Sequence, residues 1–252
     1  MSFQSSLNNL TSIAAQLSPE RILLLTEMAN ALTRNVVSKV SPTSNIVSRS
    51  FNDDFAGRLV LFHAMHDAAL TKKTFEYFFC GSSRAAGRSA FQTSNSVHPG
   101  EDVNVNGQKF SLKTESGKKI NPSYIHISKL MEARWIRDCV SKTDCCFNAI
   151  TKVGNHLSHY ERILTLRSFV SDTKITYQLV EIPMEVLKSI ARLIDLDFSE
   201  RTGNGSSSAT VRGDDGSPMF TLSLDGSVEK ITVRTLSIRL CTIHAVWDIN
   251  LT

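Results

Sequence analysis

Residues 101–115 read EDVNVNGQKFSLKTE, two alternating runs on either side of Asn106-Gly107. Asn-Gly favours a type I′ turn, because both turn residues then need positive φ. That turn fixes the pairing: Val105 faces Gln108, Asn104 faces Lys109, Val103 faces Phe110 and Asp102 faces Ser111. Strand side chains alternate between faces, so Val103, Phe110 and Leu112 share an apolar one. Asp102, Asn104, Lys109, Ser111 and Lys113 share the other. Asp102 and Lys113 are then one diagonal step apart, about 7–8 Å at Cα.

An acid and an amine so placed suit phosphodiester hydrolysis. Asp102 would hold a divalent metal, which makes hydroxide available at neutral pH and offsets phosphate charge. Lys113 would orient the attacking water or stabilise developing negative charge. The plainer reading is a solvated hairpin with surface charges. An acid, about ten residues, then an apolar residue and lysine on a second strand resembles the PD-(D/E)XK nucleases, here as PGED…SLK. Two departures stand out. Pro99 lies three residues before Asp102 rather than beside it, and Ser111 takes the place of the second acid. Some restriction enzymes of that fold carry serine there and bring the acid from a helix.

The chain has 252 residues and a formal charge of +4, enough for one domain, or a domain with a lobe. So mild a charge permits nucleic-acid binding without implying it. Cys80, Cys139, Cys145, Cys146 and Cys241 are odd in number and lack zinc spacing. Reduced, mostly buried thiols in a cytoplasmic protein are expected. No signal-peptide pattern and no membrane-length apolar run is present.

Ser18-Pro19-Glu20 starts a helix expected to run to about Lys39, with Ile22, Leu25, Met28, Ala29 and Leu32 as its apolar stripe. Two helices are expected over Asp53 to Cys80, divided near Ala69-Leu70-Thr71. His63 and His66 lie at i and i+3 without a third ligand, which favours packing over metal binding. Phe75, Phe78 and Phe79 mark the buried face of the later helix, with Glu76 beside them. Gly81 to Gly100 reads as a mobile basic loop in which Arg84 and Arg88 would contact phosphate or guanine. Lys118 and Lys119 follow the hairpin, where a DNA backbone would run. Asn121-Pro122-Ser123 is expected to open a long helix through Cys139, with a second to Tyr160. Strands are expected over Ile163–Val170 and Ile175–Ile182, then a short helix from Pro183 to Ile194. Gly203 to Ser208 is a flexible segment, and three strands close the chain: Met219–Leu224, Lys230–Leu236 and Thr242–Ile249. The fold class is α/β, a mixed sheet flanked by helices with a β-rich C-terminal part. Residues 1–50 form an N-terminal helical segment and residues 51–252 a nuclease domain in one compact unit.

Several stretches resemble the SmaI-like type II restriction endonucleases in order and spacing. They are Asn52-Asp53-Asp54-Phe55, Ala69-Leu70-Thr71-Lys72, Leu112-Lys113-Thr114-Glu115 and Ser123-Tyr124-Ile125-His126, then Tyr160-Glu161-Arg162-Ile163, the run from Tyr177 to Pro183, and Val246-Trp247-Asp248. They run from about residue 52 to the C-terminus; the first fifty residues and the Gly203 segment match poorly. The resemblance implies a Mg²⁺-dependent enzyme that cuts both strands of a short palindrome in double-stranded DNA. Asp102 and Lys113 match the family's acid and lysine, and Glu76 its helical glutamate; with Ser111 they are the expected catalytic residues, and Asp102, Glu76 and Leu112 are expected at the metal. The resemblance also implies a methyltransferase that protects host DNA, and it suggests CCCGGG as the site. A palindrome matches two-fold symmetry, so a homodimer is expected. A repair or recombination nuclease and an inactive DNA-binding module are the competing classes. Arg84, Arg88, Arg162, Arg212, Arg234 and Arg239 are candidate base readers. Glu132 is an alternative acid for the metal site. Glu115 is rejected, being four residues from Ser111 and so about 14 Å along the strand.

Overall fold

The computed structural model describes residues 2–93, 100–203 and 205–251. Helices α1 (Phe3–Ala14) and α2 (Pro19–Leu32) precede strand β1 (Val37–Val40), and α3 (Arg49–His63) and α4 (Lys72–Ala85) follow. Next come β2 (Ala90–Gln92), β3 (Val103–Val105), β4 (Gln108–Gly117) and β5 (Tyr124–Glu132). A helical run then joins α5 (Lys142–Asn148), a π turn at Ala149–Val153 and α6 (Gly154–Leu157). The chain closes with β6 (Arg162–Val170), β7 (Lys174–Ile182), α7 (Met184–Lys188), β8 (Ser207–Arg212), β9 (Pro218–Asp225), β10 (Lys230–Ser237) and β11 (Thr242–Asn250).

Two sheets form. The larger has the order β1-β11-β7-β6-β4-β3-β2, and the smaller β5-β10-β9-β8. In the larger sheet β4 and β6 run parallel while the other pairs are antiparallel, so the sheet is mixed as expected. Alternation along β6 and β4 decides what each face meets. Leu164, Leu166, Phe110 and Leu112 point into one core with α3 and α4, built on Phe51, Phe55, Phe75, Phe79 and Trp247. The Trp247 indole N–H donates to Asn52 at 2.8 Å, which ties α3 to β11. Ile163, Val180 and Ile182 point the other way, into a second core with the smaller sheet and the α5–α6 run. The polar residues of β4 share this second face. A cleft between the two sheets therefore receives them.

The structure corrects several expected elements. The long helix over residues 121–139 is instead strand β5 and a short 3₁₀ turn, Arg134–Asp138. The apparent helix cap is an Asx turn, in which Ser123 N–H donates to Asn121 Oδ1 at 2.8 Å. Ile125 and Ile127 then alternate inward and pair with β10. Helix α2 stops at Leu32, short of Lys39, because the β-branched Val36-Val37 enters β1, which pairs with β11. Of α2 only Ala31 is buried, so the expected apolar stripe does not enter a core as a whole. Helix α4 continues through Gly81 to Ala85, where a loop was expected. Gly81 lies against the Arg58 guanidinium, and Ser82 donates to Asp54 at 2.7 Å, binding α4 to α3. Ser207 and Ser208 open β8 rather than extending a flexible segment.

His63 is a packing residue, with Nδ1 on the His66 carbonyl and Nε2 on the Tyr177 hydroxyl. The five cysteines are free thiols, four of them buried. No helix among the described residues is long and apolar enough to cross a membrane.

Candidate active site

The hairpin forms in the expected register, Val103 opposite Phe110, Asn104 opposite Lys109 and Val105 opposite Gln108. Asn106 and Gly107 turn it with φ of 52° and 86°. The ladder stops at Val103, and the expected pairing of Asp102 with Ser111 does not form: the Asp102 N–H donates at 2.8 Å to the carbonyl of Phe110, the residue already opposite Val103. This turns the Asp102 carboxylate onto the start of β4. Its Oδ2 accepts from the Leu112 N–H at 2.7 Å and from the Ser111 hydroxyl at 3.3 Å. Ser111 thus orients Asp102. The Leu112 side chain is fully buried, and its main-chain N–H is what reaches the carboxylate.

Helix α4 brings the second acid. Thr71 caps it through the Thr74 N–H, putting Lys72 at its first position and Glu76 one turn later on the same face. Lys72 Nζ lies 2.7 Å from Asp102 Oδ1 and 3.7 Å from Glu76 Oε1. Lys73 holds the other Glu76 oxygen at 3.0 Å. Glu76, although on a helix, therefore shares one ammonium with Asp102.

Lys113 projects from the same face of β4, with Nζ 3.5 Å from the Leu130 carbonyl. His156 Nε2 sits 3.1 Å from that same oxygen. The shared carbonyl comes from an irregular stretch of β5. Between Ile127 and Met131 the partner strand advances only from Val233 to Ile231, so β5 bulges over Ser128, Lys129 and Leu130. Burial, with the Lys72 charge second, pushes the Lys113 ammonium down to about 8. Burial, with Lys113 second, pushes His156 down to about 4. Among the described residues neither His156 Nδ1 nor the Tyr160 hydroxyl has a hydrogen-bond partner. Asp102, Ser111, Lys113, Lys72, Leu130 and His156 all line one open cavity of about 640 Å³.

The lowered Lys113 value has a stability consequence of definite sign. Between about pH 8 and the ordinary lysine value of 10.5 the unfolded chain binds this proton and the folded one does not, so folding gains stability as pH rises. Lys113→Met should therefore be more stable than the parent near pH 7, and its advantage should shrink by pH 10. Urea titrations of both proteins across that range, without metal, measure the difference. A constant difference would contradict the desolvated ammonium.

Other sequence candidates lie apart from this cluster. Glu115 pairs with the wholly buried Arg167 at 2.6 Å and accepts from the His126 N–H at 3.0 Å. Glu132 stands at the cavity rim, exposed and paired with Lys129 at 2.6 Å. Arg84 is eight residues beyond Glu76, about 12 Å along α4, and donates to the Ala90 carbonyl. Arg88 is near enough to Arg162 for their charges to oppose. Lys118 faces Asp172 at 3.7 Å beyond the end of β4, and Lys119 lines a neighbouring cavity with Tyr124, His126 and Arg234. Arg162 is engaged by Glu181 and Asn45. Pro99 lies outside the described residues. Sequence reading missed Lys72, His156 and the Leu130 carbonyl. Lys72 had one signal, its place in the ALTK stretch.

Among the described residues no three His, Cys, Asp or Glu side chains gather at one point. Two carboxylates already gathered on one cation nevertheless suit a hard divalent ion, which takes oxygen ligands and keeps several waters. Paired acids beside a desolvated lysine, on the floor of an open cleft, are the equipment of a phosphodiester hydrolase. The family model for SmaI, type II site-specific deoxyribonuclease, matches residues 10–249, and the chain belongs to that family. Type II restriction enzyme SmaI of Serratia marcescens is 34% identical over 216 residues, covering 82% of this chain and 82% of its own. No solved structure matches it. The enzyme is a type II restriction endonuclease acting on DNA, which favours restriction over the repair-nuclease and inactive-module readings.

Proposed function

We propose that the enzyme makes Mg²⁺-dependent double-strand cuts at a short palindrome, CCCGGG, with a PD-(D/E)XK core. The carrying observation is the Lys72 ammonium between Asp102 and Glu76, in the cavity that also holds Lys113. Asp102 and Glu76 would hold Mg²⁺ with Leu112, whose main-chain carbonyl is the oxygen it has to offer. Bound there, Mg²⁺ would activate water and offset charge on the scissile phosphate. Ser111 keeps Asp102 turned toward the cleft. Lys113, braced on the Leu130 carbonyl, orients the attacking water or stabilises charge developing on phosphate oxygen. Arg84, Arg88, Lys118 and Lys119 would meet the DNA backbone or guanine edges outside the cavity. A palindromic site would be met by a homodimer in the cytoplasm, with a methyltransferase protecting the host's copies. Residues 1–50 would join the nuclease part as one unit, supported by the pairing of β1 with β11.

Digestion of a sequenced plasmid with Mg²⁺, followed by mapping of the ends, tests the site and the double-strand cut. Discrete fragments with every end at CCCGGG are expected; discrete fragments ending elsewhere would replace that sequence. With ligands that are all oxygen, Mg²⁺ and Mn²⁺ should support cleavage, while Ca²⁺ occupies the site without turnover. Activity that survives exhaustive chelation would contradict the metal mechanism.

A further inference from the structure

We propose that Lys72 is an internal counter-ion that holds the metal position in the DNA-free enzyme and must swing out before a divalent ion can load. This rests on the metal reading above and goes beyond it, because it assigns a gate to a residue outside the expected catalytic set. Three observations carry it. The Lys72 ammonium touches both carboxylates, at 2.7 Å from Asp102 and 3.7 Å from Glu76. An ammonium and a divalent cation repel strongly at such range, so the two compete for the same oxygens. Lys72 and Lys73 also stand at the first two positions of α4, where the helix dipole disfavours positive charge and where no acid is present. The Asp102–Glu76 pair supplies the attraction that offsets this cost. Finally, the Lys72 side chain is 42% exposed beside the open cavity, so its stem has room to rotate outward. A DNA phosphate arriving in the cleft offers the ammonium a new anionic partner, and the vacated carboxylates become available as DNA binds.

The test is metal binding without DNA, with Mn²⁺ as the probe and electron paramagnetic resonance of free ion as the readout. Lys72→Met should bind Mn²⁺ at least about tenfold more tightly than the parent, a difference of about 1.4 kcal/mol. Lys72→Arg, which keeps the charge, should stay close to the parent. Lys72→Gln reads the same loss of charge should the Met variant fold poorly. Asp102→Asn is added in the parent and Lys72→Met backgrounds to locate the ion. Tighter binding in Lys72→Met that Asp102→Asn abolishes supports the gate. Unchanged or weaker binding in Lys72→Met, with Asp102→Asn still abolishing it, overturns the gate and leaves the metal site standing. Binding indifferent to Asp102→Asn in both backgrounds overturns the metal site and the gate together.

Discussion

Lys113→Ala is expected to bind its DNA site nearly as well as the parent and to cleave it about 10²–10³ times more slowly, a loss of about 3–4 kcal/mol of transition-state stabilisation. The split follows from where the ammonium sits. It is half-buried on the cavity floor, held by the Leu130 carbonyl and drained of solvation. A long-range backbone contact would need an exposed charge, which Lys118 and Lys129 provide better. Preorganised charge on a partly desolvated side chain acts on the developing phosphate charge more than on the bound ground state. Gel-shift and cleavage assays on one duplex make the comparison. Near-normal cutting by the mutant would remove Lys113 from the chemistry; equal losses in binding and cutting would make it a DNA contact. His156→Ala gives a useful contrast, because its Nε2 shares the Leu130 carbonyl while, among the described residues, it makes no hydrogen bond to Asp102 or Glu76.

The hairpin was legible because its information is local. Asn106-Gly107 sets the turn, and period-two alternation sets which side chains of β4 face the cleft, so the Ser111–Lys113 face needed no tertiary knowledge; Asp102 lies just outside β3 and reaches that face through its carboxylate bonds to Ser111 and Leu112. The Phe75–Phe79 face was legible for the same reason, at period 3.6. Strand β5 was not. Its alternation lasts from Tyr124 to Ile127 and then breaks at the Ser128–Leu130 bulge, while Asn121-Pro122-Ser123 offers a convincing false cap. That error hid a contact in the cavity, since the bulge is what presents the Leu130 carbonyl to Lys113. Lys72 was hidden differently: nothing within α4 says that β3–β4 will bring Asp102 to within 2.7 Å of it. Glu76 was reachable from sequence only through family resemblance, and the structure places it beside Lys72.

Glu76→Ala and Glu115→Ala should fail in different ways, and the contrast decides which acid serves the metal. Glu76→Ala leaves Asp102 as the sole carboxylate at the site, so cleavage should fall by orders of magnitude and need at least about tenfold more Mg²⁺, the shift produced by losing roughly 1.4 kcal/mol of ion binding. Its stability should change little, because Glu76 answers to two lysines whose side chains are 42% and 63% exposed and can reach water. Glu115→Ala reverses the pattern. Its partner Arg167 is wholly buried, and loss of the carboxylate strands a guanidinium that keeps only carbonyl and amide acceptors at Asn121, Pro122, Tyr124 and Gln178. Breaking such a pair costs about 3–5 kcal/mol, so this variant should unfold at markedly lower temperature. Below that temperature its Mg²⁺ dependence should match the parent's. The sequence KTE makes Glu115 the tempting ligand, and a single activity assay at a warm temperature would wrongly support that choice. Melting curves must therefore accompany Mg²⁺ titrations of cleavage rate, run at a temperature where both variants are folded. A folded Glu115 variant with a shifted Mg²⁺ requirement, beside a near-normal Glu76 variant, would reverse the assignment.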